Sequence, residues 1–226
     1  MKTIYEFLLK AKTAVSTQDM GYVDLGLPSG LLWARCNIGA DEPTEYGDYF
    51  MWGSTEPDTD KPCDWKHSPF NDGSADYDNK YFNSVQNKVC PNGILAPEYD
   101  AATVILGKDW RLPTKDDFEE LINNTDNKWI KNYKGLDIKG RIFTSKNGEA
   151  AKANGAELFI PACGVRINSK FYKQGICVNC WSSSIDNIYN MHFSDAFCLK
   201  ATYLLSSMVM GDDRSYGFCL RAVKGM

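Results

Sequence analysis

Cysteine and histidine are the residues of this chain best suited to chemistry, and their spacing limits what they can do. The eight cysteines stand at positions 36, 63, 90, 163, 177, 180, 198 and 219, and only Cys177-Val-Asn-Cys180 has the gap of a zinc, copper or dithiol redox site. A zinc site of that kind takes a second pair at similar spacing, and none is present. Neither a helix N-terminus nor a basic partner flanks the pair to hold a thiolate. The thiols therefore read as small buried apolar side chains, and neither a metal nor another cofactor is expected. His67 and His192 leave little room for histidine-based proton transfer. Ser182-Ser-Ser184 lacks the glycine elbow of a nucleophilic serine, so no catalytic residue is expected there. Asp72-Gly-Ser-Ala-Asp-Tyr-Asp78 gathers three carboxylates without the spacing of a calcium loop and reads as a solvated loop.

The rest of the composition narrows the class. The chain has 226 residues, 43% of them apolar and 24% charged, enough for one large domain or a domain with an appendage. Lys+Arg 25 against Asp+Glu 29 gives a net charge of −4 with no basic cluster, which argues against nucleic acid as a partner. No Gly-rich phosphate loop is present. No apolar run is long enough to span a membrane. Glu6, Lys10 and Lys12 interrupt what would be the apolar stretch of a signal peptide, so none is convincing and localisation is unknown. Ile4, Phe7, Leu8, Ala11 and Val15 instead recur at helical spacing, predicting an amphipathic helix over 1–20 that docks on its own domain or joins a partner chain or oligomer.

Elements that could position a site follow from residue 21. Short apolar runs at 22–25, 31–34 and 49–52, bounded by Gly26, Pro28, Gly30, Gly39, Gly47 and Gly53, predict strands and turns. Residues 54–92 are polar and read as a long loop. One helix is expected over 98–106, stopped by Gly107, and a second from Thr114, with Asp116 and Asp117 in its first turn and Phe118, Leu121 and Ile122 on its buried face. Strands are expected again at 141–144, 157–160, 187–193, 203–205 and 216–223. The order strands, two helices, strands is an α+β fold with a mostly antiparallel, loop-rich sheet.

Several segments carry a resemblance. They are Tyr22-Val-Asp-Leu-Gly-Leu-Pro-Ser-Gly-Leu-Leu-Trp-Ala34, Tyr46-Gly-Asp-Tyr-Phe-Met-Trp-Gly53 with Thr55-Glu-Pro57, and Tyr99-Asp-Ala-Ala102 leading to Trp110-Arg-Leu-Pro-Thr114. Phe159-Ile-Pro-Ala-Cys-Gly-Val-Arg166, Trp181-Ser-Ser-Ser184 and Gly217-Phe-Cys-Leu-Arg-Ala-Val223 complete the set. Together they resemble the Fibrobacter-type major paralogous domain, common in Bacteroides and related gut bacteria, over nearly all of 21–224. The resemblance implies a C-type lectin-like fold of the formylglycine-generating-enzyme variety over 21–226. The variable proteins of diversity-generating retroelements share that fold and C-terminal motif pattern. Cys219 and Ala222 depart from the family's last strand, which carries Ser and Pro there.

In those variable proteins the segment between the Trp-Ser-Ser motif and the last strand binds ligand, and its changeable codons cannot reach Glu or Gln. From Gly175 to Met226 this chain has neither residue; Met191, Lys200, Met208 and Met210 would sit at other codons. The resemblance implies a variable segment over about 179–216, with Ile185, Asp186, Ile188, His192, Asp195, Phe197, Leu199 and Tyr203 as contact positions and Asp212, Ser215 and Tyr216 next. It also implies a non-enzymatic protein that binds a protein or glycan, on a cell surface or as part of a virion. Tyr, Phe and small polar residues suit such a surface because they give contact area at low entropic cost. Two alternatives are an oxidase like the formylglycine-generating enzymes, working through Cys177 and Cys180, and a structural module at an adhesin or pilus tip.

Overall fold

The computed structural model describes residues 21–71, 80–146, 157–186 and 195–225. The N-terminal helix expected over 1–20, the acidic stretch Asp72–Asp78 and the strand expected over 187–193 lie outside the described residues. Within them the protein is α+β, with more strand than helix. Three α-helices accompany three-stranded antiparallel sheets and one two-stranded hairpin.

The first sheet joins β1 (Tyr22–Asp24) and β2 (Leu32–Ala34) to β11 (Val223–Lys224), so the two ends of the described chain flank β2 in one sheet. Between β1 and β2, Asp24 accepts a hydrogen bond from the Gly26 amide and Gly30 donates to the Leu27 carbonyl, closing the turn. The run expected as a strand at 49–52 pairs only through Phe50, opposite Phe218.

Helix α1 (Lys80–Val89) corrects the sequence reading, which had 54–92 as a loop. Phe82 and Val89 are buried and Val85 half-buried, a spacing obscured by seven polar or aromatic residues around them. Helix α2 (Ala101–Leu106) begins at Asp100, whose Oδ1 accepts from the Ala102 and Thr103 amides at 2.9 and 3.2 Å. It is shorter than expected because Pro97–Tyr99 forms a separate 3-10 turn. Helix α3 (Lys115–Asn124) starts as anticipated at Thr114. Thr114 and Asp117 form a reciprocal capping box, and Phe118 and Leu121 are fully buried against Trp33.

After α3 come β3 (Thr125–Ile130), β4 (Gly140–Ser145) and β5 (Glu157–Pro161), an antiparallel sheet in that order. A tight hairpin follows, β6 (Val165–Ile167) to β7 (Lys170–Tyr172), turning through Asn168 at φ 52°. The central sheet is then built from β8 (Cys177–Ile185), β9 (Asp195–Thr202) and β10 (Met208–Asp213), with β9 in the middle. Tyr203–Leu205, expected as strand, is the exposed turn between β9 and β10.

Two cores sandwich this sheet, and the period of two along each strand assigns side chains to them. Val178, Cys180, Leu199 and Ala201 face Trp33, Phe118, Leu121, Phe143 and Ile160. Trp181, Ala196 and Cys198 face Phe50, Trp52, Phe218, Leu220 and Ala222. Residues 217–223 thread between the layers. They bridge to Arg166, Phe50, Cys180, β2 and Arg111, and every residue from Phe218 to Val223 is buried.

Arg221 holds that segment. Its guanidinium is completely buried and donates to Asn37 Oδ1 and to the carbonyls of Ala34, Arg35 and Phe159 at 2.6–3.1 Å. Replacing it by methionine keeps the volume but strips four acceptors of their donor. We expect Arg221→Met to lose about 3 kcal/mol or more in urea unfolding; a loss below about 1 kcal/mol would show that the guanidinium is not what anchors the segment.

Candidate ligand-binding cleft

The face of the central sheet that carries Trp181 and Cys198 is only half covered. Trp181 stacks on Phe218 with ring centroids 4.3 Å apart, and that stack is where the core ends. The same alternation places Asn179 and Cys177 on β8 and Lys200 and Thr202 on β9 beyond it, and Met208, Met210 and Asp212 along the edge strand β10, against a cleft of about 650 Å³. The hairpin supplies the opposite wall through Val165, Ile167 and Tyr172, followed by Lys173 and Ile176. Leu205 and Tyr216 close the ends.

The wall is held by local geometry rather than by long elements. Lys173 sits at φ 56°, and its carbonyl accepts from the Ile176 and Cys177 amides, which turns the chain from β7 into β8. Gly164 has φ 71°, and a Cβ there would collide with the Tyr172 carbonyl and the Gln174 amide, so the hairpin can press on β8 only with glycine at this position. Gln174 donates to the Tyr49 hydroxyl at 3.0 Å, tying the turn to the body of the protein.

Polar groups on the floor are few and fixed. Asn179 is buried and its Nδ2 donates to the Gly164 carbonyl at 2.8 Å and to Cys177 Sγ at 3.0 Å. Lys200 and Asp212 form a diagonal ion pair between β9 and β10, about three-quarters buried on both sides, since Lys200 stands opposite Met208 and Asp212 opposite Ala196. Burial would lower the Lys200 ammonium, but Cys198 and the Asp212 carboxylate outweigh it and hold the charge on. Burial raises the Cys177 thiol, opposed by the bond from Asn179 and by the nearby ammoniums of Lys173 and Lys200. Tyr216, at the other end, is raised by burial and by the carboxylates of Asp213 and Asp212.

Of the anticipated contact positions, Asp212 and Tyr216 line the cleft. Asp186 and Asp195 lie close by in the same sheet: the Asp186 carboxylate fills the space a Cβ on Gly211 would take, and Asp195 stands opposite Asp213. Tyr203 is exposed on the turn beside Leu204 and Leu205, with Lys131 Nζ 4.4 Å from its ring. Ile188 and His192 lie outside the described residues. Leu199 requires correction: it has no exposed surface and points into the core behind the sheet. Ile185, Phe197 and Ser215 are also buried, at 4–8% exposure, and contribute packing rather than open surface.

The residues the sequence reading missed form the facing wall, 165–176, and the pair Met208 and Met210. The alternation Met208, Met210, Asp212 in a segment with no other helical signal was the available clue. Chain contacts between 165–176 and 208–216 leave no local signature.

The cysteine pair is not a pair. An odd separation along a strand turns Cys177 to the cleft and Cys180 to the core. Cys180 instead meets Cys163 and Cys219 in a fully buried cluster, where both neighbours direct their thiols at Cys163 and lower it, and burial raises Cys219. Among the described residues no group of three or more His, Cys, Asp and Glu is placed to hold a metal ion. No helix among them is long and apolar enough to cross a membrane.

The chain matches no family model, no curated protein and no solved structure.

All eight thiols are buried and unbridged, and burial raises Cys36, Cys63, Cys90, Cys177 and Cys198, Cys90 to about 11. Iodoacetamide at about pH 8 should therefore leave the folded protein unmodified by mass spectrometry and label all eight cysteines once guanidinium unfolds it. Rapid labelling of Cys177 in the folded state would mean that the cleft reaches the thiol and that the charges around it, not burial, set its reactivity.

Proposed function

We propose that this is a non-enzymatic ligand-binding protein with a C-type lectin-like fold of the formylglycine-generating-enzyme variety, related to the variable proteins of diversity-generating retroelements. It would recognise a protein or glycan on a cell or virion surface through the segment 179–216. The observation that carries the reading is the half-covered central sheet. The longest stretch of chain without Glu or Gln supplies its strands, and the cleft over its open half holds Met208, Met210, Leu205 and Ile176, each 41–59% exposed. Exposed apolar side chains gathered around a concave floor mark an interaction site rather than a solvated surface. Tyr203 and Leu204, at 61% and 87% exposure, extend it beyond the cleft. The separation of Cys177 from Cys180 supports binding over thiol chemistry at this site.

Binding is tested by presenting the protein to immobilised glycans and to intact cells of candidate hosts, with Met208→Asp beside the wild type. Because Met208 is 42% exposed at the edge of the sheet, the variant should unfold at the same denaturant concentration and lose about tenfold or more of the binding. Equal binding by both proteins would move the site elsewhere. Diversification is tested separately in the coding DNA: a near-identical repeat and a reverse-transcriptase gene should lie nearby, with differences confined to adenines of the repeat. Absence of both removes the retroelement and leaves ligand binding standing.

A further inference from the structure

One edge of the central sheet is sealed and the other is open. Successive residues of a strand turn their amides and carbonyls to opposite sides, so a few bonds fix the direction of every residue in the sheet. The Phe197 carbonyl accepts from Ser182 Oγ and the Asp195 carbonyl from the Asp186 amide, so the odd-numbered residues of β9 face β8. Ala196, Cys198 and Lys200 therefore face Asp212, Met210 and Met208, and Val209 and Gly211 turn their amides and carbonyls away from β9. On the far side of β8 the corresponding groups are met: the Cys177 carbonyl accepts from Gly164, the Trp181 amide donates to Cys219, and Ser183 accepts from Leu95 and donates to Pro113. Among the described residues no hydrogen bond reaches Val209 or Gly211 from beyond β10.

An open strand edge is a template for another strand, and folded proteins blunt it with lysine, proline, a bulge or shortness. β10 has none of these: its six residues, Met-Val-Met-Gly-Asp-Asp, pair with β9 one for one. The open stretch is bounded at both ends, since Ser207 is buried and the Asp213 carbonyl already accepts from the Tyr216 amide. What remains is a donor and an acceptor on Val209 and again on Gly211, with Met210 between them. That set is its own complement. About a two-fold axis at Met210, Val209 of one protomer stands opposite Gly211 of the other, and each pair exchanges its amides and carbonyls. A register centred on Val209 or Gly211 would instead call on Ser207 or Asp213. The same operation sets Met210 against Met210 at about 4.5 Å between Cα atoms. It also places each Asp212 beside the other protomer's Met208, so the carboxylates of the two chains are kept apart.

We infer that β10 is an interface between two copies of this chain, which join edge to edge into one antiparallel sheet with its two-fold axis at Met210. The methionines that stand exposed in the single chain then cover one another along the seam, where their flexible side chains fit together. Pairing over so short a strand falls at the small end of specific interfaces, so the dimer is weak and exchanges with monomer. Both protomers present Met208 and Met210 on the same side of the joined sheet, so their clefts lie next to each other on one face. The dimer stands independently of what the cleft binds.

The axis makes residue 210 its own neighbour, and a charge exchange at that position detects it. In sedimentation equilibrium of the full chain at concentrations up to about 1 mM, the wild type should pass from monomer to dimer. Met210→Lys and Met210→Glu, each checked for unchanged urea unfolding, should each weaken association about tenfold, because like charges then stand directly opposite at the axis. An equimolar mixture of the two variants should regain the wild-type association, since each lysine meets a glutamate. A wild type that stays monomeric throughout overturns the inference. So do variants that dimerise as the wild type does, and a mixture that associates no more tightly than its components. If the chain is monomeric while a ligand still binds in a Met208-dependent way, the interface falls and the ligand-binding reading survives. If the mixture associates as expected while no ligand depends on Met208, the interface stands and that reading falls.

Discussion

A guanidinium sealed inside a protein must be met on all sides, and Arg221 meets that demand with dipoles rather than a counter-ion. Four of its N–H donors point at one side-chain amide oxygen and three backbone carbonyls, drawn from Ala34, Arg35, Asn37 and Phe159. Burial lowers its affinity for the proton, yet a guanidinium stays charged, so those acceptors cannot be released without leaving a bare charge in the core. The consequence is geometric. The loop after β2, the β5 strand and the last segment of the chain are fixed to one another at a point that permits no sliding. Residues 217–223 touch almost every other layer through single bridges, so the placement of Arg221 sets the placement of sheets that share few regular hydrogen bonds.

The same device recurs where the chain is least regular. Arg166 donates to the carbonyls of Thr59 and Lys61 and to Cys63 Sγ, which pins the loop before residue 65 to the β6–β7 hairpin. Asp100 accepts from two amides of α2 and from Leu112, and Trp52 and Trp181 each donate an indole N–H to a distant carbonyl. Long side chains thus do the work that ladder hydrogen bonds do in a larger sheet. They also hold the cleft wall in place: β6 and β7 are three residues each, too short to be stable alone, and Arg166 roots them in the body.

What the sequence made legible follows from where each signal is local. The start of α3 could be read because Thr114 caps amides within three residues of itself, whereas the start of α2 was expected at residue 98 and falls after Asp100, which caps it. Helix α1 was hidden because Phe82, Val85 and Val89 are too few to announce a face against the polar residues between them. Strand β8 was hidden for the opposite reason: all nine of its residues are buried, so no alternation of apolar and polar marks it. The C-terminal half of the cleft was legible as a composition anomaly, the missing Glu and Gln. Its individual contact positions were not, since a one-residue error in register exchanges the cleft face for the core, as Leu199 shows beside Lys200.

That sensitivity to register is also what lets one sheet serve two purposes. Val178, Cys180, Leu199 and Ala201 carry the packing against α3 and β4, while their immediate neighbours Asn179 and Lys200 point the other way. On β10 the exposed methionines flank Val209, which is packed against the core. A change of chemistry at Met208 or Met210 therefore removes no atom from the core, whereas the same change at Trp181 or Cys198, which share the register row of Met210, would open the stack with Phe218. In that row the boundary between exchangeable and fixed positions falls between β9 and the edge strand β10, so the freedom to vary is set by exposure at the sheet edge rather than by position in the sequence. A surface built this way can alter what it recognises without altering how it folds.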